Sequence, residues 1–360
     1  MGKILNSYNE RLAFDAGAIL RCPACGGEAL AQAADALACT CGARYPFDCA
    51  TRVCALVAQD GDSAPKRDIR AWWGDLYRQI YAETDARLTP EALAGALDDL
   101  EDMFQRREHL AAVEMPLETL TGKAVLEIGC GGGGHSALFC RKGASVVAVD
   151  ITPERATSTG FKFSLLPECS GRAYQADAER LPFRDNIFDI VYSNGVLHHS
   201  ENTDHAIREV YRVLKPGGRA VLMLYARHSA VFWCNIVPRG FFSGDMFRHP
   251  EAEWIGRATE GTPKFGQTRN PITRVYSRGE LGSLLKDFRL VSLRKSSFQF
   301  DNFAVPRLAR VREVILRFFG REPHPGGMLV YGRPYFVETA LELALGRHIG
   351  FAWNIVAEKT

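Results

Sequence analysis

A glycine-rich segment carries the strongest structural signal in the chain, and it reads Val125-Leu-Glu-Ile-Gly129-Cys-Gly131-Gly-Gly133-Gly-His135. An apolar run that ends in glycines is typical of a buried β-strand followed by a tight turn into a helix. Glycine has no Cβ atom, so a ligand can approach the backbone of such a turn, and the helix presents free N–H groups. The segment predicts a ligand site at the end of a strand, although several cofactor classes use such a turn.

Similar short apolar runs recur along the chain and predict a doubly wound α/β fold. They are Lys123-Ala-Val-Leu-Glu-Ile, Ser145-Val-Val-Ala-Val-Asp150, Phe188-Asp-Ile-Val-Tyr-Ser and Arg219-Ala-Val-Leu-Met-Leu-Tyr225. Segments of helical length separate these runs, which is the pattern of a mostly parallel sheet covered by helices on both faces. We expect the last strands of the sheet near residues 290 and 350.

Composition places the chain among globular proteins. Of its 360 residues 46% are hydrophobic and 24% are charged, which is enough apolar surface for a core and argues against disorder. The 44 basic and 42 acidic residues give a formal charge of +2, so no global electrostatic attraction to nucleic acid is expected. No apolar run is long enough to cross a bilayer, and the first residues lack the apolar core of a signal peptide, so we expect a cytoplasmic protein.

Acidic and polar residues follow the glycine-rich turn in order. Asp150 ends the second predicted strand, 23 residues after Glu127, where a carboxylate can accept hydrogen bonds from both hydroxyls of a ribose. The later motifs are Tyr174-Gln-Ala-Asp177, Asn194-Gly195-Val-Leu-His198-His199 and Leu214-Lys-Pro-Gly-Gly218. These motifs together discriminate between cofactor classes better than the turn alone.

On these ordered motifs, residues 121–226 resemble the class I S-adenosylmethionine-dependent methyltransferases, in the broad group that includes quinone-biosynthesis C-methyltransferases. The resemblance implies a mostly parallel sheet of seven strands. It also implies that the turn holds the methionine end of the methyl donor, that the next carboxylate holds the ribose and that the third strand holds the adenine. The donor site implied in this way contains Glu127, Gly129, Gly131, Gly133, Asp150, Ile151, Asp177, Ala178 and Asn194.

Such a donor already carries a reactive methyl group, so the protein mainly has to align the acceptor and exclude water. A base is needed only for an acceptor that must lose a proton, and the candidates for this catalytic role are His198, His199 and Tyr225. The two histidines could instead begin a helix and hydrogen-bond backbone. Candidate acceptor-binding residues are His228, Trp233 and Tyr276. Aromatic residues near Trp73 could close over the donor or belong to the core.

Two cysteine pairs, Cys22-Pro-Ala-Cys25 and Cys39-Thr-Cys41, predict a structural Zn²⁺ site formed by four thiolates. The segment 17–57 resembles the zinc-ribbon family named for small activators of tRNA and protein methyltransferases. Its second pair departs from that pattern because one residue separates the cysteines, so Cys49 could replace one of them. The remaining cysteines are expected to be small apolar residues: Cys54, Cys130, Cys140, Cys169 and Cys234.

These features predict a zinc-ribbon domain over 1–60, a helical linker or cap over 61–120 and a methyltransferase domain over 121–360. Within that domain, 226–276 is expected to be a lid over the acceptor and 300–347 an insertion. The expected function is methyl transfer to O, N, S or C of a small molecule, in the biosynthesis of a specialised metabolite. The alternatives are an RNA base methyltransferase and a non-catalytic module of the same fold that activates a partner.

An arginine-rich amphipathic helix is predicted in the insertion. Its apolar face is expected to contain Leu308, Val311, Ile315, Phe318 and Phe319, with arginines on the other faces. We expect this face to dock on the sheet or on a second copy of the chain in a homo-oligomer, in preference to an anionic membrane.

Overall fold

The computed structural model describes residue 15 and residues 17–33, 35–48, 51, 53–58, 63–259, 270–303, 305 and 307–360. In this part of the chain eleven strands form one sheet in the order β1-β2-β3-β4-β7-β6-β5-β8-β9-β11-β10. The strands are β1 (Leu30–Gln32), β2 (Ala36–Cys39), β3 (Arg44–Asp48), β4 (Val53–Leu56), β5 (Ala124–Ile128), β6 (Ser145–Asp150), β7 (Arg172–Ala176), β8 (Phe188–Asn194), β9 (Leu214–Tyr225), β10 (Phe288–Ser296) and β11 (Ala352–Lys359).

Helices cover the sheet and extend beyond it at the ends of its strands. They are α1 (Ala64–Ile80), α2 (Ala82–Ala86), α3 (Pro90–Arg106), α4 (Leu110–Val113), α5 (Gly134–Arg141), α6 (Pro153–Leu165), α7 (Thr203–Val213), α8 (Val237–Ser243), α9 (Asp245–Arg248), α10 (Glu251–Thr259), α11 (Arg278–Leu284), α12 (Leu308–Phe318), α13 (Met328–Tyr331) and α14 (Ala340–Ile349). Ser277 caps α11 in a capping box with Glu280.

The sheet is mixed. Strands β4, β7, β6, β5, β8 and β9 run parallel, while β11 is antiparallel to both β9 and β10. The central strands β5 and β6 are buried along almost their whole length, which explains why they read as continuous apolar runs. These features confirm the α/β architecture that the alternation of strands and helices predicts.

The sheet has more than the seven expected strands because the cysteine-rich segment extends it. Residues 124–359 contribute seven strands, and β4 adds to their edge through parallel pairing with β7, with Cys54 opposite Tyr174. Leu20 pairs with Phe183 beyond the end of β7. Buried side chains of this segment, such as Leu37, belong to the same hydrophobic cluster as those of the sheet. The segment is therefore packed onto the sheet and does not depend on a core of its own.

A buried polar network attaches the helical segment to the sheet domain. Lys162 on α6 donates hydrogen bonds to Asp85 and Ser158, and the Tyr77 hydroxyl donates to the same Asp85 carboxylate at 2.6 Å. Lys162 and Asp85 are both buried, so loss of one partner would leave the other charge without compensation in the interior. The network holds α1 and α2 against α6.

The insertion 300–347 folds back over the domain, but its amphipathic helix is oriented differently from the expectation. Helix α12 turns Arg312 and Leu316 inward, leaves Leu308 half-buried and exposes most of its other apolar side chains. The exposed side chains are Val311, Val314, Ile315, Phe318 and Phe319. The predicted docking of this face on the sheet is therefore wrong. The reason is that Arg312 forms a buried, two-bond ion pair with Glu342, which fixes the rotation of the helix.

Two cysteines also differ from the expectation. Cys140 at the end of α5 and Cys169 in the loop before β7 form a disulfide bond, so treating them as apolar residues was wrong. Cys54 and Cys130 are buried thiols, as expected for small apolar residues, whereas Cys234 is exposed.

None of the helices in the described ranges combines the length and the hydropathy needed to cross a lipid bilayer.

Candidate active site

A cavity of about 220 Å³, here called the donor cavity, lies at the carboxyl ends of β5, β6, β7 and β8. This is where ligands bind in doubly wound sheets. Most of the residues predicted to hold a methyl donor line it, together with one of the predicted catalytic residues: Glu127, Gly129, Gly131, Asp150, Ile151, Asp177, Ala178, Asn194 and His199.

The glycine-rich turn has the backbone conformation that requires glycine. Gly129, Gly131 and Gly133 all have positive φ angles, of 76°, 55° and 78°. A Cβ atom on Gly129 would lie 2.3 Å from the side chain of Val196, and one on Gly133 would lie 2.7 Å from Thr159 Oγ1. Gly133 precedes α5 and does not line the donor cavity. Glycine is needed at this position because the turn packs closely against Thr159.

Glu127 is the most buried acidic residue of the donor cavity. Its side chain accepts a hydrogen bond from Ser136 Oγ, and His135 Nδ1 lies 3.7 Å from Oε1. Burial raises the pKa of Glu127 to about 8, and the carboxylate of Asp150 adds to the rise. A positively charged ligand group beside Glu127 would favour the ionised carboxylate.

Asp150 is held in one orientation by three hydrogen bonds. Oδ1 accepts from the backbone N–H of Thr152 at 3.0 Å and from the Thr152 hydroxyl at 2.9 Å. Oδ2 accepts from the backbone N–H of Gly131 at 3.2 Å. A carboxylate has about four acceptor positions, so Asp150 retains one, on Oδ2, for a donor on a ligand such as a ribose hydroxyl.

Asp177 has a cationic partner that the sequence does not reveal. Lys66 Nζ, from α1, lies 2.6 Å from Asp177 Oδ2 and 3.1 Å from Glu179 Oε2. Burial alone would lower the pKa of Lys66, but the two carboxylates outweigh it and raise that pKa. Lys66 and Asp177 are far apart in sequence, and no motif connects them.

The walls opposite the turn come from two segments outside the core motifs. Trp73 and Tyr81 come from the helical segment 64–86, and Leu329 and Val330 come from the insertion 300–347. The Tyr81 hydroxyl donates a hydrogen bond to the carbonyl of Val330, so the two segments meet over the glycine-rich turn. The helical cap thus closes part of the donor cavity.

The charges around the donor cavity favour a cationic ligand. Its basic residues are Lys66 and Arg155. Its acidic residues are Glu127, Asp150, Asp177, Glu179 and Glu201. An excess of carboxylates suits a sulfonium and an ammonium group and opposes the phosphates of a dinucleotide.

The two predicted catalytic histidines occupy different environments. His199 lines the donor cavity, and its Nδ1 lies 3.0 Å from the carbonyl of Ile272 and 3.1 Å from Thr273 Oγ1. Nδ1 also lies 3.1 Å from Nδ2 of Asn270, so a carbonyl, a hydroxyl and an amide group surround this nitrogen. His198 is fully buried and does not line the donor cavity, and its ring centroid lies 4.2 Å from that of His199 and 3.8 Å from that of Tyr225. Burial lowers the pKa of His198 well below its usual range.

A second cavity, of about 680 Å³, lies at the same edge of the sheet, where β9 ends, and is here called the acceptor cavity. Tyr225 lines it, as do other aromatic side chains and several arginines. Met223 belongs to its wall and pairs with Asn194 of the donor cavity across β8 and β9. Tyr331 belongs to its wall and follows Val330 of the donor cavity.

The predicted acceptor-binding residues lie outside both cavities. Trp233 is exposed on the surface, and the His228 carbonyl accepts a hydrogen bond from Lys295. The Tyr276 carbonyl accepts a hydrogen bond from the indole N–H of Trp353. None of the three is among the residues that line either cavity in the described ranges.

The four cysteines of the two N-terminal pairs converge. The Sγ atoms of Cys22, Cys25, Cys39 and Cys41 all lie within 4.8 Å of one another. The Cys22–Cys41 separation is 3.8 Å and the Cys25–Cys39 separation is 3.7 Å. A tetrahedron with Zn–S bonds of about 2.3 Å has edges of about 3.8 Å, so the thiol positions fit a zinc ion. Cys49 lies outside the described residues.

Comparison with known proteins identifies the family. A family model described as a methyltransferase domain matches residues 126–222. The sterol 4-C-methyltransferase strm-1 of Caenorhabditis elegans is 35% identical over 100 residues, which are 27% of this chain and 29% of that protein. The ubiquinone biosynthesis O-methyltransferase of Pseudomonas aeruginosa is 31% identical over 170 residues, which are 44% of this chain and 73% of that protein.

A solved structure of phosphoethanolamine N-methyltransferase 2 from Haemonchus contortus, in complex with phosphomonomethylethanolamine and S-adenosylhomocysteine, is 17% identical with a TM-score of 0.46. The match covers 81% of this chain and 60% of that one. This chain spans less than a third of the length of the sterol enzyme, so the substrates of such relatives do not transfer to it directly. The matched family model and the quinone-pathway relative show that the chain belongs to the class I S-adenosylmethionine-dependent methyltransferases.

Proposed function

We propose that this protein transfers a methyl group from S-adenosylmethionine in the donor cavity to a small molecule in the acceptor cavity. The observation that carries the proposal is the juxtaposition of the two cavities at one edge of the sheet. They share a boundary at the paired residues Asn194 and Met223 and at the consecutive residues Val330 and Tyr331.

The residues of the donor cavity fit this donor. S-adenosylmethionine supplies a methyl group on a positively charged sulfur, which is transferred by in-line displacement. Glu127 and the glycine-rich turn would hold the methionine end, where a buried carboxylate meets an ammonium group. Asp150 would accept a hydrogen bond from a ribose hydroxyl, and Asp177 would accept one from the adenine amino group. The excess of carboxylates supports this assignment over a dinucleotide.

The walls of the acceptor cavity favour a planar molecule with polar substituents. Tyr225 stacks on Phe351 with ring centroids 4.2 Å apart, and Tyr331 stacks on Tyr335 at 4.6 Å. Offset stacking on such rings favours flat apolar or aromatic groups. Two buried carboxylate oxygens of this cavity, Asp301 Oδ1 and Glu338 Oε2, have no hydrogen-bond partner within the described residues. These oxygens would accept hydrogen bonds from hydroxyl or amino groups of the molecule that receives the methyl group.

His199 is the proposed general base for an acceptor that must lose a proton. It lines the donor cavity, and its ring centroid is 5.8 Å from that of Tyr225 in the acceptor cavity. The hydrogen bond from Nδ1 to the Ile272 carbonyl would orient the ring and leave Nε2 to take the proton. His198 would then support this ring and Tyr225 by packing, without contact to substrate.

Transfer of a radioactive methyl group tests the proposal. Purified protein is incubated with S-adenosylmethionine labelled on the methyl group and a cell extract, which is then separated into small-molecule, RNA and protein fractions. We expect label in small molecules, and its loss in Asp150→Ala but not in Asp98→Ala, a surface carboxylate variant. Asp150→Ala should also weaken donor binding by about 2 kcal/mol, since a ribose hydroxyl would be left unpaired.

Other outcomes decide between the alternatives. Label in RNA that depends on Asp150 would favour an RNA methyltransferase. Calorimetric binding of the donor without label in any fraction would favour a non-catalytic, partner-activating module. Donor affinity that is equal in Asp150→Ala and the parent protein would overturn the assignment of the donor site.

We further propose that Cys22, Cys25, Cys39 and Cys41 hold a structural zinc ion. Four protein ligands would leave no open position for water or substrate, so the ion would stabilise the fold and take no part in the transfer. The Tyr45 hydroxyl lies 3.0 Å from Cys22 Sγ and would orient this ligand through a hydrogen bond.

A further inference from the structure

Helix α12 presents an apolar surface that the described part of the chain does not cover. Phe318 is 84% exposed and Phe319 is 73% exposed, and Val311, Val314 and Ile315 on the same side of the helix are also exposed. Exposed apolar residues that lie singly are common, but a contiguous group of this size marks a contact surface.

The orientation of this helix is fixed by polar contacts. Arg312 donates to both carboxylate oxygens of Glu342 at 2.7 and 2.8 Å, and Glu342 also accepts from the backbone N–H of Phe300 at 3.0 Å. Arg312 and Glu342 are both buried. Rotation of α12 to bury its phenylalanines would break this pair and leave a charge uncompensated in the interior. The exposure is thus built into the fold.

A second exposed aromatic group lies on α8 and α9. Phe242 is 85% exposed and Phe247 is 71% exposed, and both rings contact the Phe241 ring edge-on at centroid distances of 5.5 Å. Asn235 Nδ2 donates to the carbonyl of Asn302 at 2.7 Å, which joins this segment to the chain leading into α12. We call the exposed apolar side chains of α12 and of the residue that follows it the apolar face: Val311, Val314, Ile315, Phe318 and Phe319.

Positive charge borders the apolar face. The exposed or half-exposed arginines on α12 and next to it in the chain are Arg307, Arg310, Arg317 and Arg321. The acidic side chains on the same stretch of helix are Glu313 and Glu322, and Glu322 is already paired with Arg317 at 2.9 Å. A second copy of the chain, joined by a two-fold axis, would bring the same arginines face to face, which is unfavourable. An anionic lipid surface offers the opposite charge.

We propose that the apolar face docks on an anionic lipid surface, with the aromatic side chains at the level of the headgroups and the arginines on lipid phosphates. Arg312, Glu313 and Arg317 of the same helix line the acceptor cavity, so docking would place one wall of this cavity beside the lipid. An amphiphilic acceptor could then enter from the membrane. This last step rests on the proposed methyl transfer, whereas the docking itself does not.

Vesicle flotation of the full chain tests the docking without any turnover. We expect binding to vesicles of phosphatidylglycerol and phosphatidylcholine, and at least about tenfold weaker binding when Phe318 and Phe319 are both changed to Ser. Arg310→Gln with Arg317→Gln should weaken it by about fivefold for each arginine lost. Phe161→Ser is the matched control, because Phe161 is partly exposed on α6, which packs on β6 and β7.

Circular dichroism and calorimetric donor binding show that each variant is folded, and the donor measurement also tests the methyltransferase assignment separately. Equal binding to vesicles of phosphatidylcholine alone would overturn the anionic surface. Absence of vesicle binding by a monomer would overturn the docking. The protein could instead be a dimer that fails to bind vesicles and that dissociates when Phe318 and Phe319 are changed to Ser. This result would show that a second copy covers the apolar face, and it would also overturn the lipid docking.

Discussion

Replacement of Gly129 by Ala probes the conformation on which the donor cavity depends. Gly129 has a φ of +76°, a region that costs a residue with a Cβ about 1 to 2 kcal/mol. The new methyl group would also lie within 2.3 to 2.8 Å of three atoms of the Val196 side chain. Such overpacking typically costs about 1 to 3 kcal/mol, so we expect a total loss of about 3 kcal/mol in the free energy of unfolding.

The measurement is urea-induced unfolding followed by circular dichroism, with donor affinity measured by calorimetry at the same time. Gly95→Ala is the matched control, since Gly95 lies in α3 with open space where a Cβ would be added, and this change should stabilise the fold by about 0.5 to 1 kcal/mol. The double variant Gly129→Ala, Val196→Ala should recover the part of the loss that comes from the clash. It should not recover the part that comes from φ.

A loss below about 1 kcal/mol for Gly129→Ala would refute this reasoning, because the positive φ alone predicts that much. A full loss without any recovery in the double variant would show that Val196 is not the obstacle, and the close approach of β5 to the residues after β8 would then need another explanation. If both the single and the double variant still bind the donor, the conformation of the turn contributes to stability but is not required for donor binding.

Two further predictions concern the buried acid and the cysteine cluster. Burial gives Glu127 a folded-state pKa of about 8 against an ordinary 4.5, so the folded chain holds an extra proton between these pH values and its free energy of unfolding falls as the pH rises through them. Glu127→Gln should remove this fall, which amounts to up to about 1.4 kcal/mol per pH unit. The measurement is urea unfolding of both proteins at pH 5, 6.5 and 8. An identical pH dependence in the two proteins would contradict the burial argument. Metal analysis should give about one zinc per chain, lost in Cys22→Ser and retained in the exposed control Cys234→Ser. Zinc that persists in Cys41→Ser would point to Cys49 as the ligand.

The strands, the turn and the carboxylates of the donor cavity could be predicted because each depends on local pattern. Periodicity identifies β5 and β6, and Asp150 follows from its position at the end of β6. Contacts between distant segments have no such local signal. The approach of Lys66 to Asp177 and the Cys140–Cys169 bond join residues whose proximity arises only when helices pack on the sheet.

Adjacent residues could not be distinguished by sequence for a similar reason. His198 and His199 have the same side chain, and only the short turn over Leu197–His199 decides that His199 faces the donor cavity and His198 packs on Tyr225. The rotation of α12 was predicted from its apolar spacing alone, which ignores the energy of one buried ion pair. The periodicity of a helix defines an apolar and a polar face. It does not show which face will be buried when a distant carboxylate such as Glu342 pairs with an arginine of the helix.

The pairing of β4 with β7 has a consequence for the order of folding. Cys54 and Tyr174 are partners in that ladder although 120 residues separate them, so β4 leaves the ribosome before its partner strand has been synthesised. A metal ion bound by the cysteines could organise the loop earlier, but β4 would remain without a neighbour on one side until β7 is synthesised. The cysteine-rich segment therefore cannot complete its native contacts with the sheet until the chain has been synthesised through β7.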